Sequence, residues 1–216
     1  MRGPVIRVFI ADDHAVVRDG LALVLDATSD MVVAGATGDA REVLAQIRTG
    51  PWDVLILDLS LPGGGGLEVL SQIQPLRPDV HTVVYSMYPE EQYGARVLRM
   101  GAAAYLSKSR SIEELLEAIR RAHRGQRYVT QTIAEQMLTP RGRGPAADSI
   151  SDRELQILEL IVDGQRTSDI AASLCISPST VSTHIKRIKE KLGVGSTVEL
   201  ARVALERQIV ARSSPE

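Results

Sequence analysis

The stretch VLILDLSLPGGGGLEVL, residues 54–70, contains the complete pattern of one strand, one loop and one helix. Residues 54–59 are almost wholly apolar, as in a strand that is covered on both faces. The proline and four glycines that follow indicate a loop, and the apolar spacing after them predicts a helix over 66–75. We therefore expect one strand–helix unit of an α/β protein here, with its strand inside the sheet.

Four similar units flank this one, each an apolar, β-branched run followed by a helical pattern. Five units in series predict an α/β fold with a doubly wound, five-stranded parallel sheet and helices on both faces. Ser111 and Glu114 have the spacing of a capping box and mark the start of the fifth helix. The predicted strands are 6–11, 32–37, 54–59, 82–87 and 104–107, and the predicted helices lie near 15–28, 39–49, 66–75, 89–100 and 111–124.

Polar residues end these strands, at the sheet edge where ligands bind in open α/β proteins. Asp12 and Asp13 follow the first strand, and Asp58 ends the third. Because three neighbouring carboxylates repel one another, they need a cation, and an all-oxygen site suits Mg²⁺. Ser86 and Lys108 end the fourth and fifth strands. A metal and Lys108 would neutralise a transferring phosphoryl group, and a carboxylate can act as its nucleophile.

The first domain, over roughly residues 5 to 127, resembles a CheY-like receiver domain with a flavodoxin-like fold. The resemblance implies that Asp58 accepts a phosphoryl group from a sensor histidine kinase, and that Lys108 contacts this group. Ser86 and Tyr105 match the hydroxyl and aromatic switch positions. The implied Mg²⁺ ligands are Asp12, Asp13, Asp58 and the backbone carbonyl of Ser60. The segments that carry the resemblance are IADDH (10–14), VLILDLSLPGGGGLEVL (54–70), VVYSM (83–87) and GAAAYLSK (101–108).

Two positions depart from the usual receiver pattern. The loop after the acceptor commonly reads Pro-Gly-x-(Asp/Asn)-Gly, whereas here Pro62 is followed by four glycines, and Ser109 stands where many receivers have proline. Neither change removes a catalytic group. We expect the glycines to form a permissive, unusually mobile loop rather than a phosphate cradle, because no Gly-Lys-Ser/Thr follows them.

The second half of the chain lacks strand patterns and is predicted to form four helices over 150–212. It is preceded by TPRGRGPAADS (139–149), which has the composition of a flexible linker, and by a short predicted helix over 130–138. The predicted domains are a receiver at 1–128, a linker at 129–149 and a DNA-binding domain at 150–216.

The third helix of this half, predicted over 178–192, has an apolar face and a basic face. A short turn followed by such a helix is the geometry that enters a DNA major groove. Lys186 and Arg187 can reach base edges or phosphates, whereas Lys189 and Lys191 more readily reach phosphates. The apolar side chains recur at 4, 3, 4 spacing and are Val181, Ile185, Ile188 and Leu192.

The segment TSDIAASLCISPSTVSTHIKRIKEKLGV (167–194) resembles a LuxR/NarL-type helix-turn-helix, and the resemblance extends over about 150 to 210. It implies that the 178–192 helix reads DNA, with Ser182, Thr183 and Lys186 at base-contacting positions. It also implies dimerisation through the last helix. On that helix Val198, Ala201, Leu205 and their neighbours are expected to be exposed. Position 182 is commonly lysine, so serine there should lower nonspecific affinity and alter sequence preference.

Each of these residues has a simpler interpretation when it is taken alone. Asp12 and Asp13 could cap a helix, and Asp58 could be a solvated loop carboxylate. Lys108 could be a surface lysine, and Tyr105 could serve packing only. The basic helix could likewise be a solvated face. The joint placement of the polar residues at the correct strand ends favours the functional interpretation.

Composition fits two ordinary globular domains, with 216 residues, 44% apolar and 24% charged. The net charge of −2 means that any affinity for nucleic acid must be local. No apolar stretch approaches the length of a membrane span, and the single cysteine, Cys175, excludes an internal disulfide and a cysteine-based zinc site. None of the four histidines has metal-ligand spacing. A cytoplasmic location is expected by default.

The sequence therefore predicts a transcription regulator, not an enzyme, which is phosphorylated on Asp58 and binds promoter DNA as a homodimer. One alternative is a phosphorylation-independent regulator whose receiver serves only as a dimerisation or ligand module. The intact set of Asp13, Asp58, Ser86 and Lys108 weighs against it. A second alternative is an α/β enzyme such as an aspartyl-phosphate phosphatase, for which the sequence offers no clear substrate pocket or general acid.

Overall fold

The computed structural model describes residues 5–138, 150–174, 176–207 and 209–210, which form two compact units, one within Met1–Thr139 and one within Pro140–Glu216. Cys175 and the segment 139–149 of the linker predicted over 129–149 lie outside the described residues, whereas 129–138 is described and contains a helix. The exact domain bounds stay a prediction. No helix in the described part of the chain is long and apolar enough to cross a membrane.

The first unit is a five-stranded sheet in which every neighbouring pair is parallel, in the order β2-β1-β3-β4-β5. This arrangement confirms the predicted fold. The strands are β1 Ile6–Ala11, β2 Met31–Thr37, β3 Val54–Leu57, β4 His81–Ser86 and β5 Ala104–Ser107. The helices are α1 Ala15–Asp26, α2 Ala40–Gln46, α3 Gly66–Leu76, α4 Glu90–Arg99, α5 Ile112–His123 and α6 Gln131–Leu138.

Burial explains why the central strands form. All four residues of β3 are buried, which requires cover on both faces of the sheet. The chain passes from β1 outward to β2 and then returns to place β3 on the other side of β1. The carboxyl ends of β1 and β3 are therefore adjacent at the point where the strand order reverses, which is where such sheets bind ligands.

Helix α6 belongs to the first unit and packs against α4, with Ile133 completely buried. It corresponds to the short helix predicted over 130–138. The predicted start of α5 is also present, because the side chain of Ser111 accepts a hydrogen bond from the amide of Glu114.

The second unit is helical. Ser151 and Glu154 form the predicted capping box of its first helix, and Ser177 caps the third with Pro178 at its first position. Gly193 ends that helix in the left-handed conformation. The helices are α7 Asp152–Val162, α8 Thr167–Ser173, α9 Pro178–Leu192 and α10 Thr197–Glu206.

Candidate functional site

The predicted acidic site is assembled at the carboxyl edge of the sheet. Asp12 and Asp58 are each 1% exposed, and Asp13 lies beside them nearer to solvent. The ammonium of Lys108 enters from the end of β5 and lies 2.6 Å from Asp12 Oδ2 and 2.7 Å from Asp58 Oδ2. The strand order thus brings together residues that are far apart in sequence.

Asp58 is held in its ionised form. Burial opposes its charge, but the ammonium of Lys108 and hydrogen bonds from Lys108, Ser86 and Ser60 hold the pKa of Asp58 below its ordinary value. Burial likewise opposes the charge of Lys108, but Asp58 and Asp12 raise the pKa of Lys108 above its ordinary value. A charged carboxylate is the form that a nucleophile requires.

The donor set fits a divalent cation. Ligand atoms of Asp12, Asp13, His14 and Asp58 all lie within 4.8 Å of one another. Opposite ligands of a six-coordinate Mg²⁺ are about 4.2 Å apart, so small movements would allow one ion to reach these oxygens. Three carboxylates and one ammonium also leave two uncompensated negative charges, which a divalent ion would balance.

The presence of His14 in this cluster differs from the expectation that no histidine has metal-ligand spacing. Its Nδ1 lies 2.8 Å from Asp13 Oδ1, and its amide donates to Asp12 Oδ1 at 2.9 Å. His14 is close to Asp12 and Asp13 because the three residues follow one another in the turn after β1. Such a local contact does not appear as a periodic spacing in the sequence. Mg²⁺ prefers oxygen ligands, so a magnesium site does not need the imidazole.

Two hydroxyl groups contact the carboxylate of Asp58. Ser86 Oγ donates to Asp58 Oδ1 at 2.6 Å, and Ser60 Oγ donates to Asp58 Oδ2 at 2.8 Å. Sequence reasoning singled out Ser86, and it named Ser60 for its backbone carbonyl and as a residue near the acceptor that tunes hydrolysis, but it did not predict the hydrogen bond from the Ser60 hydroxyl. A serine two residues after a carboxylate can form such a local hydrogen bond, and this spacing was the available signal. Metal ligation by the Ser60 carbonyl stays a prediction.

The aromatic residue predicted to act as a switch is fully buried. Tyr105 is 0% exposed, and its hydroxyl donates to the carbonyl of Tyr88 at 2.9 Å. Tyr88 lies two residues after Ser86, whose hydroxyl is already turned toward Asp58. The two predicted switch side chains therefore both point inward in this structure.

The backbone of the loop after Asp58 adopts conformations that require glycine. Gly63, Gly64 and Gly65 have φ of 83°, 136° and 88°, values that other residues rarely adopt. A Cβ atom on Gly66 would clash with the carbonyl oxygen of Asp58. The glycines thus allow the chain to turn closely behind the acceptor, which supports their interpretation as a permissive loop.

Helix α9 presents the predicted basic face to solvent. Ser182, Thr183, Lys186 and Arg187 are exposed, and Lys189 is half-buried. The opposite face is anchored in the core of the second unit by Val181, Ile188 and Leu192. Of the residues predicted to be exposed on α10, Val198 is 83% exposed, whereas Ala201 and Leu205 are half-buried.

Two details of α9 differ from the expectation. Lys191 Nζ lies 2.6 Å from the buried carboxylate of Glu154, so this lysine ties α9 to the start of α7 instead of facing a phosphate. The hydroxyls of Ser182 and Thr183 donate to the carbonyls of Pro178 and Ser179, each at 3.0 Å. Such bonds to the preceding turn must be exchanged before either hydroxyl donates to a base.

Glu159 in α7 is a buried carboxyl group that sequence reasoning overlooked. It is 6% exposed, and its Oε2 has no hydrogen-bond partner within the described residues. Burial, with a smaller contribution from the charge of Asp163, raises the pKa of Glu159 to about 8. The signal was present, because Glu159 stands four residues after the inward-facing Leu155 on the same helix face.

We expect the stability of the second unit to fall as the pH rises from about 4.5 to about 8. The folded state retains the proton of Glu159 over this range while the unfolded state releases it. The free energy of unfolding of Glu159→Gln, relative to wild type, should therefore increase by about 2 kcal/mol between pH 6 and pH 8. Urea unfolding at both pH values measures this difference. The exposed Glu190→Gln is the control, and equal behaviour of the two variants would contradict the assignment.

Comparison with known proteins agrees with this geometry. Residues 8–120 match the family model of the response regulator receiver domain, and residues 148–204 match that of bacterial regulatory proteins of the luxR family. The response regulator GacA of Pseudomonas viridiflava is 36% identical over 213 residues, which cover 97% of this chain and 100% of the relative. The response regulator UvrY of Escherichia coli (strain K12) is 35% identical, with coverage of 93% and 94%.

A solved structure with both units is also similar. RcsB from Salmonella enterica serovar Typhimurium, bound to promoter rprA in the presence of the phosphomimetic BeF₃⁻, aligns with a TM-score of 0.67 at 25% identity. The alignment covers 92% of this chain and 98% of that chain.

Proposed function

The chain belongs to the response regulators that join a receiver domain to a LuxR-family DNA-binding domain, and on this premise we propose that phosphorylation of Asp58 controls the binding of α9 to promoter DNA. The observation that carries the proposal is the buried, ionised carboxylate of Asp58, held between Lys108 and Ser86. A sensor histidine kinase is the proposed phosphoryl donor, and the cytoplasm, where kinase and chromosome are both reachable, is the proposed compartment.

The geometry of the site supports the following transfer. An oxygen of Asp58 attacks phosphorus, the new O–P bond forms, and the N–P bond of the donor phosphohistidine breaks, with a proton then taken up by the imidazole. Lys108 balances the negative charge that remains on the aspartyl phosphate, and the hydroxyl of Ser86 donates a hydrogen bond within the same site. No group on the protein needs to gain or lose a proton before the attack, because Asp58 is already ionised.

The residues that would hold Mg²⁺ are Asp12, Asp13 and Asp58, with the backbone carbonyl of Ser60 as a further candidate. When bound, a divalent ion neutralises charge on the phosphoryl oxygens. Asp12 already pairs with Lys108 at 2.6 Å, so this ammonium offsets part of the negative charge of the buried carboxylates in the absence of a metal.

Control of DNA binding requires two states of the receiver. The phosphoryl group favours the state in which Ser86 and Tyr105 point inward, and this shifts the equilibrium between the states. We propose that the altered surface around α4, β5 and α5 then promotes a homodimer. Two copies of α9 would contact half-sites about one DNA turn apart, with Lys186 and Arg187 at base edges or phosphates and Lys189 at phosphates.

Two alternatives receive less support. A phosphorylation-independent regulator would have no use for the complete set of Asp13, Asp58, Ser86 and Lys108, which the fold brings to one edge. An enzyme acting on an external phosphoester would need a general acid beside Asp58. Its nearest donors are Lys108, whose pKa is raised, and two serine hydroxyls, so we propose a regulator and not a hydrolase.

The test is the affinity for a DNA site selected from random oligonucleotides, measured at fixed salt with and without Mg²⁺ and beryllofluoride, a phosphoryl analogue. We expect the analogue to tighten binding by the wild type. Lys186→Ala should weaken binding by about 1–3 kcal/mol in both states, because an exposed cation of α9 is lost. Arg48→Ala, an exposed cation of the first unit, is the control. Equal losses in the two variants, or no response to the analogue, would contradict the proposal.

A further inference from the structure

Glu90, the first residue of α4, is a buried carboxylate outside the acidic site. Its side chain is 4% exposed and accepts hydrogen bonds from Arg110 Nε at 2.9 Å, Thr130 Oγ1 at 2.7 Å and the amide of Ser107 at 3.3 Å. Burial opposes its charge, but the bonds from Arg110, Thr130 and Ser107 hold the pKa of Glu90 below its ordinary value. One charged side chain therefore joins α4, the end of β5 and the residue before α6.

Helix α6 is also seated on α4 by close packing. Ile133 is fully buried, and a Cβ atom on Gly94 of α4 would lie only 2.5 Å from Ile133 Cγ1. Thr130 caps the start of the helix, because its carbonyl accepts the amide of Ala134 at 2.9 Å. The hydroxyl of the same threonine is the group that reaches Glu90. Two contacts together fix α6 on this face of the receiver. One is the packing of Ile133 against Gly94, and the other is the hydrogen bond from Thr130 to Glu90, which we call the tether.

The tether is next to the parts of the receiver that respond to phosphorylation. Ser107, whose amide contacts Glu90, directly precedes Lys108. Tyr88, whose carbonyl accepts the hydroxyl of Tyr105, lies two residues before Glu90. If Tyr105 turned outward, the carbonyl of Tyr88 would lose this hydrogen bond, and the start of α4 would have one restraint fewer. A shift of α4 relative to β5 would change all three contacts of Glu90.

We propose that Glu90 is a positioning residue that tethers α6 to the α4–β5 edge when Ser86 and Tyr105 point inward, and loosens α6 when they do not. The proposal rests on the proposed function, since phosphorylation of Asp58 is what favours the inward state. Because the chain continues from α6 toward the second unit, the tether sets the point from which the linker leaves the receiver. Phosphorylation thereby acts on α6, the helix from which the linker continues.

Hydrogen exchange of the amides in 129–138 tests this in the full chain with Mg²⁺, with and without beryllofluoride. The analogue should slow exchange in the wild type. Thr130→Val keeps the shape of the side chain and loses the hydroxyl, so exchange with the analogue should be about tenfold faster than in wild type. Thr130→Ser restores the hydroxyl and should restore slow exchange. Glu90→Gln should behave like Thr130→Val, and the neighbouring exposed Glu91→Gln should behave like wild type.

Intact mass after treatment with acetyl phosphate is measured on every variant, so that a failure of phosphorylation is recognised separately. If the wild type takes up no phosphoryl group, the proposed function fails. If it does so while the analogue leaves exchange in 129–138 unchanged, the tether proposal fails. It also fails if Thr130→Val exchanges faster while Glu90→Gln exchanges like wild type, because the hydroxyl of Thr130 also accepts the amide of Ile133 at 3.4 Å and would then act only as a helix cap.

Discussion

Asp58→Asn is expected to abolish phosphoryl incorporation completely. A neutral amide cannot attack phosphorus. Among the carboxylates of the site, Asp58 is the one that contacts both Lys108 Nζ, at 2.7 Å, and Ser86 Oγ, at 2.6 Å. The variant should still fold, because asparagine has nearly the same shape and Asp12 continues to compensate the ammonium of Lys108. The measurement is intact mass after incubation with Mg²⁺ and acetyl phosphate, where wild type gains one phosphoryl group and the variant none.

Ser60→Ala is the matched control for this experiment. Ser60 Oγ lies 2.8 Å from Asp58 and is the nearest alternative nucleophile on the same loop. A phosphoserine survives hydroxylamine, whereas an aspartyl phosphate is cleaved by it. Ser60→Ala should therefore remain labelled, and the label should disappear with hydroxylamine. A labelled Asp58→Asn chain, or a label that resists hydroxylamine, would refute Asp58 as the acceptor.

Most of the fold could be predicted from the sequence, because the signals are local and strong. A strand covered on both faces must be apolar throughout, and β3 shows this directly. The errors lie at the ends of strands, where the apolar run in the sequence extends beyond the last residue that is hydrogen-bonded to the neighbouring strand. The fourth strand was predicted to include Met87, but β4 ends at Ser86 and the side chain of Met87 is 69% exposed. A single exposed apolar residue is common and carries no boundary information.

The acidic site was predictable for a different reason. Parallel strands deliver their carboxyl ends to one edge, so Asp12, Asp58 and Lys108 could be assigned to one place before any distance was known. Contacts that depend on helix packing were not predictable. The bonds of Glu90 to Thr130 and of Lys191 to Glu154 join residues 40 and 37 positions apart. The periodicity of the sequence does not indicate which charged side chains will form such long-range ion pairs and hydrogen bonds.

This distinction matters for the DNA-binding face. Helical periodicity separated the two sides of α9 in the main, since Val181, Ile188 and Leu192 are buried and Lys186 is exposed. Ile185, the fourth member of the predicted apolar face, is only half-buried. Periodicity alone could not show that Lys191 is engaged by a buried carboxylate. The cations available to DNA on this helix are therefore fewer than its composition suggests, which should reduce the salt dependence of binding.

Lys108→Met is expected to have the second largest effect, a fall in the rate of phosphorylation of Asp58 by about 10²–10³-fold. Methionine retains an unbranched side chain of similar length but removes the ammonium that lies 2.7 Å from Asp58. Without it, the charge that develops on the phosphoryl group loses its nearest protein counter-charge. Lys108→Arg, which keeps a cation, should retain more activity than Lys108→Met. The rate is followed by intact mass at saturating Mg²⁺ and acetyl phosphate.

The same variant separates two roles of the ammonium. Asp12 and Asp58 are each 1% exposed, so removing Lys108 leaves two buried carboxylates uncompensated and should cost about 3–5 kcal/mol of stability without metal. Mg²⁺ can supply the missing positive charge, so it should stabilise Lys108→Met more than wild type in urea unfolding. Saturating Mg²⁺ should then restore stability but not the rate, because the lost group acted on the phosphoryl oxygens as well as on the carboxylates. A wild-type rate in Lys108→Met would show that Lys108 only holds the site together.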